Sequence, residues 1–308
     1  LVHIHAVFSF PSTIAMAIAN FYRVPYIIRP LGSLCQWSLE QSKKQKAIYL
    51  RLIKRFLNNS SGLHLTAPQE QKEVSSLSLK CNDFVVPLGI NESQDSSSDF
   101  IDIRQEFKIE NSDPILLFLS RIHPKKGIEI LIKALQDLQD TPFNLILAGS
   151  GDKEYERLIQ QCIDESTLSQ QIKSIGFVQG EVKQALLSQA DLFVLTSHSE
   201  NFGIVVLEAM AAGTPTLTTP GVALSNWIQH NNLGWVCSLD QASICQTIEH
   251  ALSNPQLLKD KGRSAQKLAK AQYGWTAIAQ QLAFQYQEAL SQEPSTFVPN
   301  FLSKYKNA

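Results

Sequence analysis

Residues 191–218 read DLFVLTSHSENFGIVVLEAMAAGTPTLT, and they decide the fold class. Asp191 to Leu195 is a short apolar run of strand character, and Phe202 to Ala212 carries a helical pattern that ends at Gly213-Thr214-Pro215. A further β-rich run follows at 215–218. Strand, helix and strand in this order form a crossover unit, which makes the two strands parallel. Glu200 falls at the strand-to-helix turn and Glu208 about two helical turns further on. Between them, the first unbonded amides of a helix point at whatever lies in front of the strand ends. Amides for phosphate and carboxylates for hydroxyls suit a charged, hydroxylated ligand bearing a diphosphate.

The same alternation extends in both directions. Strands are expected at 1–5, 25–29, 62–66 and 84–87, with helices at 11–22, 38–58 and 68–77. After a polar, aperiodic stretch, Asn91 to Asp99, the pattern restarts. Strands are expected at 114–120, 143–148, 172–176, 191–195, 215–218 and 233–237, and helices at 127–139, 152–165, 180–189 and 202–212, with helices filling most of 240–290. Alternating strands and helices give parallel sheets, and two such blocks give two doubly wound α/β domains whose strand ends face a crevice. The expected division is 1–95, 96–275, and a C-terminal helix and tail at 276–308 that returns to the first domain.

The 308 residues suffice for two domains with cores of their own, and 44% hydrophobic and 18% charged residues mark a globular chain. A net charge of −1 gives no general case for nucleic acid binding. Cys35, Cys81, Cys162, Cys237 and Cys245 are odd in number and lack Cys-x-x-Cys spacing, so neither a disulfide framework nor a zinc site is expected, and a cytoplasmic setting is. No apolar run reaches the ~18 residues that a membrane-spanning helix needs. The chain opens on Leu1-Val2-His3-Ile4-His5, a strand already under way, so the first domain is expected to lack one or more N-terminal βα units.

Four strand ends carry ligand-like chemistry. Arg121 and Lys126 lie in the loop after 114–120, where two cations can neutralise a leaving diphosphate without a metal; ordinary surface cations explain that loop equally well. Gly149-Ser150-Gly151 follows 143–148, and its glycines admit a ligand close to the backbone, or simply make a tight turn. Gly176-Phe177-Val178 offers backbone groups to a flat base, or is a plain glycine turn. The Glu200/Glu208 pair could be a general acid/base couple or a pair of helix-stabilising charges, although a glycosidase would place its carboxyls across a scissile bond.

Arg121-x4-Lys126-Gly127, Gly149-Ser-Gly, Gly176-Phe-Val and Glu200-x7-Glu208 resemble, in order and spacing, the donor site of family 4 retaining glycosyltransferases of the GT-B fold. The likeness extends through His3-Ile-His5, Pro25-Tyr-Ile-Ile, Gly32 and Val85-Val-Pro-Leu-Gly89-Ile90. It implies that Arg121 and Lys126 hold the donor diphosphate and steady the leaving group. It further implies that Glu200 binds hydroxyls of the transferred sugar, and that Asn201, Phe202 and Gly203 cup it. The amides of Ile204 and Val205 would then meet the phosphates, Glu208 the ribose hydroxyls, and the Val178 backbone the base. Gly149 and Gly151 belong to the same donor site, and His5, Arg29 and Gly32 to the acceptor or sugar side. Many members carry a histidine directly before the glycine that matches Gly32; here Leu31 stands there, with Arg29 two residues earlier as the expected substitute. The family's early glycine-rich loop would precede Leu1.

The function implied is metal-independent transfer of a sugar from a nucleotide sugar, UDP in preference to GDP or ADP, to a polysaccharide or lipid-linked acceptor. A nucleotide-sugar-binding module without turnover is the alternative. No cofactor is expected, since the sequence has no Asp-x-Asp, and His3 and His5 on one strand face lack an evident third ligand. Between Gln36 and Phe56 six cations oppose a single acid, Glu40, with Trp37, Tyr49 and Leu50 interleaved. That stretch suits peripheral contact with an anionic membrane face, or an ordinary solvated helix.

Overall fold

The structure is a computed structural model that describes residues 1–91, 101–110, 112–138 and 141–291. By its contacts the chain divides into two units: Leu1–Val86 together with the chain from Gln280 on, and Pro87–Ala279. These breaks differ from the 95/96 and 275/276 divisions read from composition, because Pro87 to Ile90 pack with the second unit. Ile90 pairs with Gly274, and a side chain on Gly89 would run into the Trp275 ring. The polar stretch taken as the linker lies almost wholly outside the described residues.

In the first unit, β1 (Val2–His5), β2 (Tyr26–Arg29), β3 (Gly62–Leu65) and β4 (Asp83–Val85) form a parallel sheet in the order β1-β2-β3-β4. Helices α1 (Phe10–Tyr22), α2 (Gln36–Glu40), α3 (Lys43–Asn58) and α4 (Pro68–Ser75) alternate with them. The single helix expected over 38–58 is in fact two, because Ser42 takes a left-handed conformation, φ 55°, and breaks the run. Ile4, Val7, Met16, Ile28, Leu57, Leu63 and Leu65 are among the buried side chains that hold the unit together.

The second unit opens with α5 (Ile103–Glu106) and β5 (Ile115–Leu119), followed by α6 (Ile128–Gln136), β6 (Asn144–Ala148), α7 (Lys153–Asp164) and β7 (Ile172–Gly176). Then come α8 (Gly180–Gln189), β8 (Leu192–Leu195), α9 (Ile204–Ala212), β9 (Thr216–Thr218), α10 (Ser225–His230) and β10 (Gly234–Val236). The unit closes with α11 (Gln241–Leu252), α12 (Pro255–Tyr273) and the start of α13 (Trp275–Ser291). Its six parallel strands run in the order β10-β9-β8-β5-β6-β7. Strands β6 and β8 are buried along their whole length, as expected where helices cover both faces of a parallel sheet. The order reverses direction between β5 and β8, and in such sheets ligands gather at that switch point, outside the carboxyl ends. Two short helices, α5 and α10, have no counterpart in the sequence reading; each is too brief for periodicity to reveal.

Histidines account for a polar seam inside the first unit. His64 Nε2 lies 2.7 Å from the Val86 carbonyl, His64 Nδ1 lies 3.3 Å from His3 Nε2, and His3 Nδ1 lies 2.8 Å from the Tyr286 hydroxyl of α13. A carbonyl only accepts, so His64 must donate from Nε2 and accept at Nδ1. His3 must then donate from Nε2 and accept the Tyr286 proton at Nδ1. Each ring is thereby a single neutral tautomer. Burial, reinforced by the neighbouring His64, His5 and Arg29, lowers the His3 pKa to about 3, and burial lowers that of His64 to about 4. Below the ordinary histidine value of 6.5 the unfolded chain binds protons that these native rings refuse. Stability present at neutral pH should therefore decline as pH falls through 6.5 toward 4. Denaturant midpoints measured from pH 7 to pH 4.5 should fall more steeply for the wild-type chain than for His64→Asn; equal slopes would remove the histidines from this role.

Candidate donor site

The carboxyl edge of the second sheet is built by backbone pairing that continues past the strands. The Ser120 amide donates to Ala148 O at 3.1 Å and the Ile122 amide to Ser150 O at 2.9 Å, which ties the Arg121 loop to the Gly149-Ser150-Gly151 turn. A Cβ on Gly149 would lie 1.8 Å from the Ser120 carbonyl oxygen, and one on Gly151 as close to that of Ile122. These glycines let the neighbouring loop pass close to the backbone of the turn, and Gly149 also lines a cavity on the α7 side of the sheet.

The loop after β8 is gripped from both sides. Thr196 Oγ1 donates to the carbonyls of Lys126 and Gly127 at 3.2 and 3.1 Å, and the His198 amide donates to Lys125 O at 2.8 Å. On the other flank Thr219 Oγ1 donates to Ser197 O at 2.6 Å, and the Glu200 amide donates to Gly221 O at 2.8 Å. Sequence reading passed over Thr196, Ser197, His198 and Thr219. A hydroxylated run after a strand reads as loop, and its partners lie about 22 or 70 residues away.

This interlock brings Lys126 and Glu200 together at the switch point. Lys126 is 7% exposed, and its ammonium is ion-paired to Glu200 Oε1. Ser197 Oγ stands 3.4 Å from the same oxygen. Such a pair holds only while both charges are present, because stripping one leaves the other buried and uncompensated. Arg121 is exposed on the same loop, close enough that its charge, with those of Lys125 and Lys126, adds to burial in lowering the His123 pKa.

Glu200 leads into α9 through Asn201, Phe202 and Gly203. Gly203 adopts φ 82°, where a side chain would be strained, and so turns the chain sharply into the helix. The helix starts at Ile204, two residues later than the sequence suggested, so Glu208 sits about one turn inside it. Gly203 O accepts from the amides of Val206 and Leu207, and intrahelical geometry leaves those of Ile204 and Val205 open. Phe202 is 4% exposed with its ring 6.1 Å from that of Tyr273, so only its backbone is available to a ligand. Asn201 and Val178 are half-buried.

Glu208 has a partner that sequence reading missed. Lys183 Nζ of α8 lies 2.8 Å from its Oε1 and 2.7 Å from its Oε2. Nothing in the sequence flags this lysine, whose contact spans 25 residues. A cavity of about 430 Å³ lies on the α7 side of the sheet, among Ile122, Leu147, Ile159, Lys153 and Arg157; Lys126, Glu200 and Glu208 do not line it. Among the described residues, no group of three or more His, Cys, Asp or Glu side chains is placed to hold a metal ion.

The family profile described as "Glycosyl transferases group 1" matches residues 99–268, more than half of the chain. The chain belongs to this family. Among group 1 relatives, an uncharacterized glycosyltransferase of Methanocaldococcus jannaschii is 32% identical over 193 residues, 62% of this chain and 49% of that protein. Glycogen synthase of Mycobacterium tuberculosis is 31% identical over 167 residues, 53% of this chain and 40% of the enzyme. The chain thus spans half or less of the length of the curated relatives it matches. Of the solved structures, Anabaena HepE in complex with UDP superposes with a TM-score of 0.79 at 23% identity, over 92% of this chain and 78% of that one. Sucrose-phosphate synthase from Thermosynechococcus elongatus gives 0.77 at 22%, over 94% and 73%. These likenesses establish the GT-B fold that the group 1 motifs implied.

Since the Arg121 loop rests on the Gly149 backbone, Gly149→Ala should cost about 1–3 kcal/mol or more as an overpacked site. A melting temperature equal to that of the wild-type chain would show that the loop is held some other way.

Proposed function

We propose that this chain carries the donor site, and part of the acceptor side, of a retaining, metal-independent glycosyltransferase that uses a nucleotide sugar, UDP in preference to GDP or ADP. The observation that carries this reading is the Lys126–Glu200 pair, set at the switch point of the sheet beside the first open amides of α9. Anabaena HepE, whose fold is shared, has been solved in complex with UDP-glucose.

In this reading the donor diphosphate lies against the Ile204 and Val205 amides and draws Lys126 and Arg121 to its oxygens. Glu200, released from Lys126, accepts hydrogen bonds from hydroxyls of the transferred sugar, which the backbone of Asn201, Phe202 and Gly203 cups. Glu208, steadied by Lys183, takes the ribose hydroxyls, and the Val178 backbone meets the base. Transfer breaks the bond between the anomeric carbon and the diphosphate oxygen, and a bond to the acceptor oxygen forms on the same face. The acceptor proton passes to the departing diphosphate. Two cations and a helix end supply the charge stabilisation that a metal gives elsewhere. The first unit receives the acceptor, a glycan or a lipid-linked sugar, with His5, Arg29 and Gly32 on that side. The basic segment 36–56 would meet the inner face of a membrane, and the protein would work in the cytoplasm. No helix among the described residues is long and apolar enough to cross a membrane.

Glu208→Ala should weaken UDP binding by about tenfold or more, the usual loss for a hydrogen bond to a charged group; unchanged affinity by calorimetry would contradict the ribose role. In the full-length protein, Arg121→Ala should lower turnover by about 10²–10³-fold, typical for a lost charge-stabilising donor. That assay should run undiminished in EDTA. Near-normal turnover in the variant would sink the leaving-group role, and EDTA sensitivity the metal-free mechanism. UDP binding without turnover would leave a binding module.

A further inference from the structure

We infer that Arg29 and His5 form a seat for an oxyanion, a phosphate or carboxylate carried by the acceptor; the inference rests on the reading of the first unit as the acceptor side. The two residues are direct partners across neighbouring strands, His5 of β1 opposite Arg29 of β2. Both are the last residues of their strands, at the carboxyl edge where doubly wound sheets receive ligands.

Arg29 is the anomaly. Its side chain is half-buried, and its Nε is buried without a hydrogen-bond partner. Among the described residues, no carboxylate lies within ion-pair distance of its guanidinium. The acid whose charge it feels most, Glu70, is 1% exposed and already committed. Glu70 Oε1 accepts from the Gly32 amide at 2.7 Å, and Oε2 accepts from the Thr66 amide at 2.7 Å and the Thr66 hydroxyl at 2.8 Å. Glu70 thus works as a clasp on the turn after β2. The Tyr286 hydroxyl, the other group whose field reaches Arg29, is engaged by His3.

A half-buried guanidinium with an orphan Nε is costly, and a bidentate oxyanion would satisfy it. His5 is exposed beside it. Burial, and then the charge of Arg29, disfavour a proton on its ring, so at neutral pH it offers one N–H without adding charge. The clasped turn supplies the rim, with Leu31 held at φ 54° and 45% exposed. An apolar rim beside a cation suits a sugar ring that carries an acid group.

The test is calorimetric titration of the full chain with methyl phosphate, D-glucuronate and, as the neutral control, D-glucose. The protein is first saturated with UDP so that the donor site is filled. At least one anion should bind where glucose does not. Arg29→Gln should weaken that anion by at least tenfold, Arg29→Lys should fall between, and UDP affinity should stay the same in all three proteins. A preference for methyl phosphate assigns a phosphate-linked acceptor, and a preference for glucuronate a uronic acid. Equal anion binding by wild type and Arg29→Gln, or no anion binding, overturns the seat. Should Arg29→Gln fail to fold, the exposed His5→Gln decides in its place and must also weaken the anion. Failure to bind UDP would instead count against the donor reading, and the anion titrations still judge the seat alone.

Discussion

Everything at the candidate donor site hangs on backbone pairing that outlasts the strands. Ser120 and Ile122 bond to Ala148 and Ser150 beyond the end of β5, and they can do so only because Gly149 and Gly151 have no side chains. This contact sets the height of the Arg121 loop. The loop after β8 then locks onto it through Thr196 and His198, and onto the β9 loop through Thr219 and Gly221. Charged side chains come last in this hierarchy. Lys126 and Glu200 meet because three loops have already been brought into register, not because their attraction pulls the loops together.

Both carboxylates of the motif are, in this structure, internal counter-ions. Glu200 neutralises Lys126, and Glu208 neutralises Lys183. Without Glu200, Lys126 would be a buried cation with nothing to balance it. The pairs let the chain fold with these charges in place.

How legible this was depended on the range of the interactions. Parallel strands and crossover helices follow from local periodicity, so β5 to β9 and the helices between them stand within three residues of expectation. The placement of Arg121, Lys126, Glu200 and Glu208 past strand ends was legible because each follows a strand in a fixed motif. Lys183, Thr196 and Tyr286 were not legible, since each acts through a partner brought near only by the tertiary fold. The break in 38–58 was not legible for another reason: Gln41 and Ser42 fit a helical pattern, and nothing local marks the left-handed turn at Ser42. Gly149 was legible as a close approach to the backbone, but the Ser120 carbonyl that makes one such approach was not.

The histidine seam of the first unit bears on what chemistry this unit can perform. From Tyr286 through His3 and His64 the hydrogen bonds all point one way and end on the Val86 carbonyl. A carbonyl at the terminus can take no proton onward and return none. The row is therefore a wire with a dead end: it fixes polarity and cannot conduct. Two histidines that might be mistaken for acid–base machinery are, by the direction of their own hydrogen bonds, insulated from proton traffic.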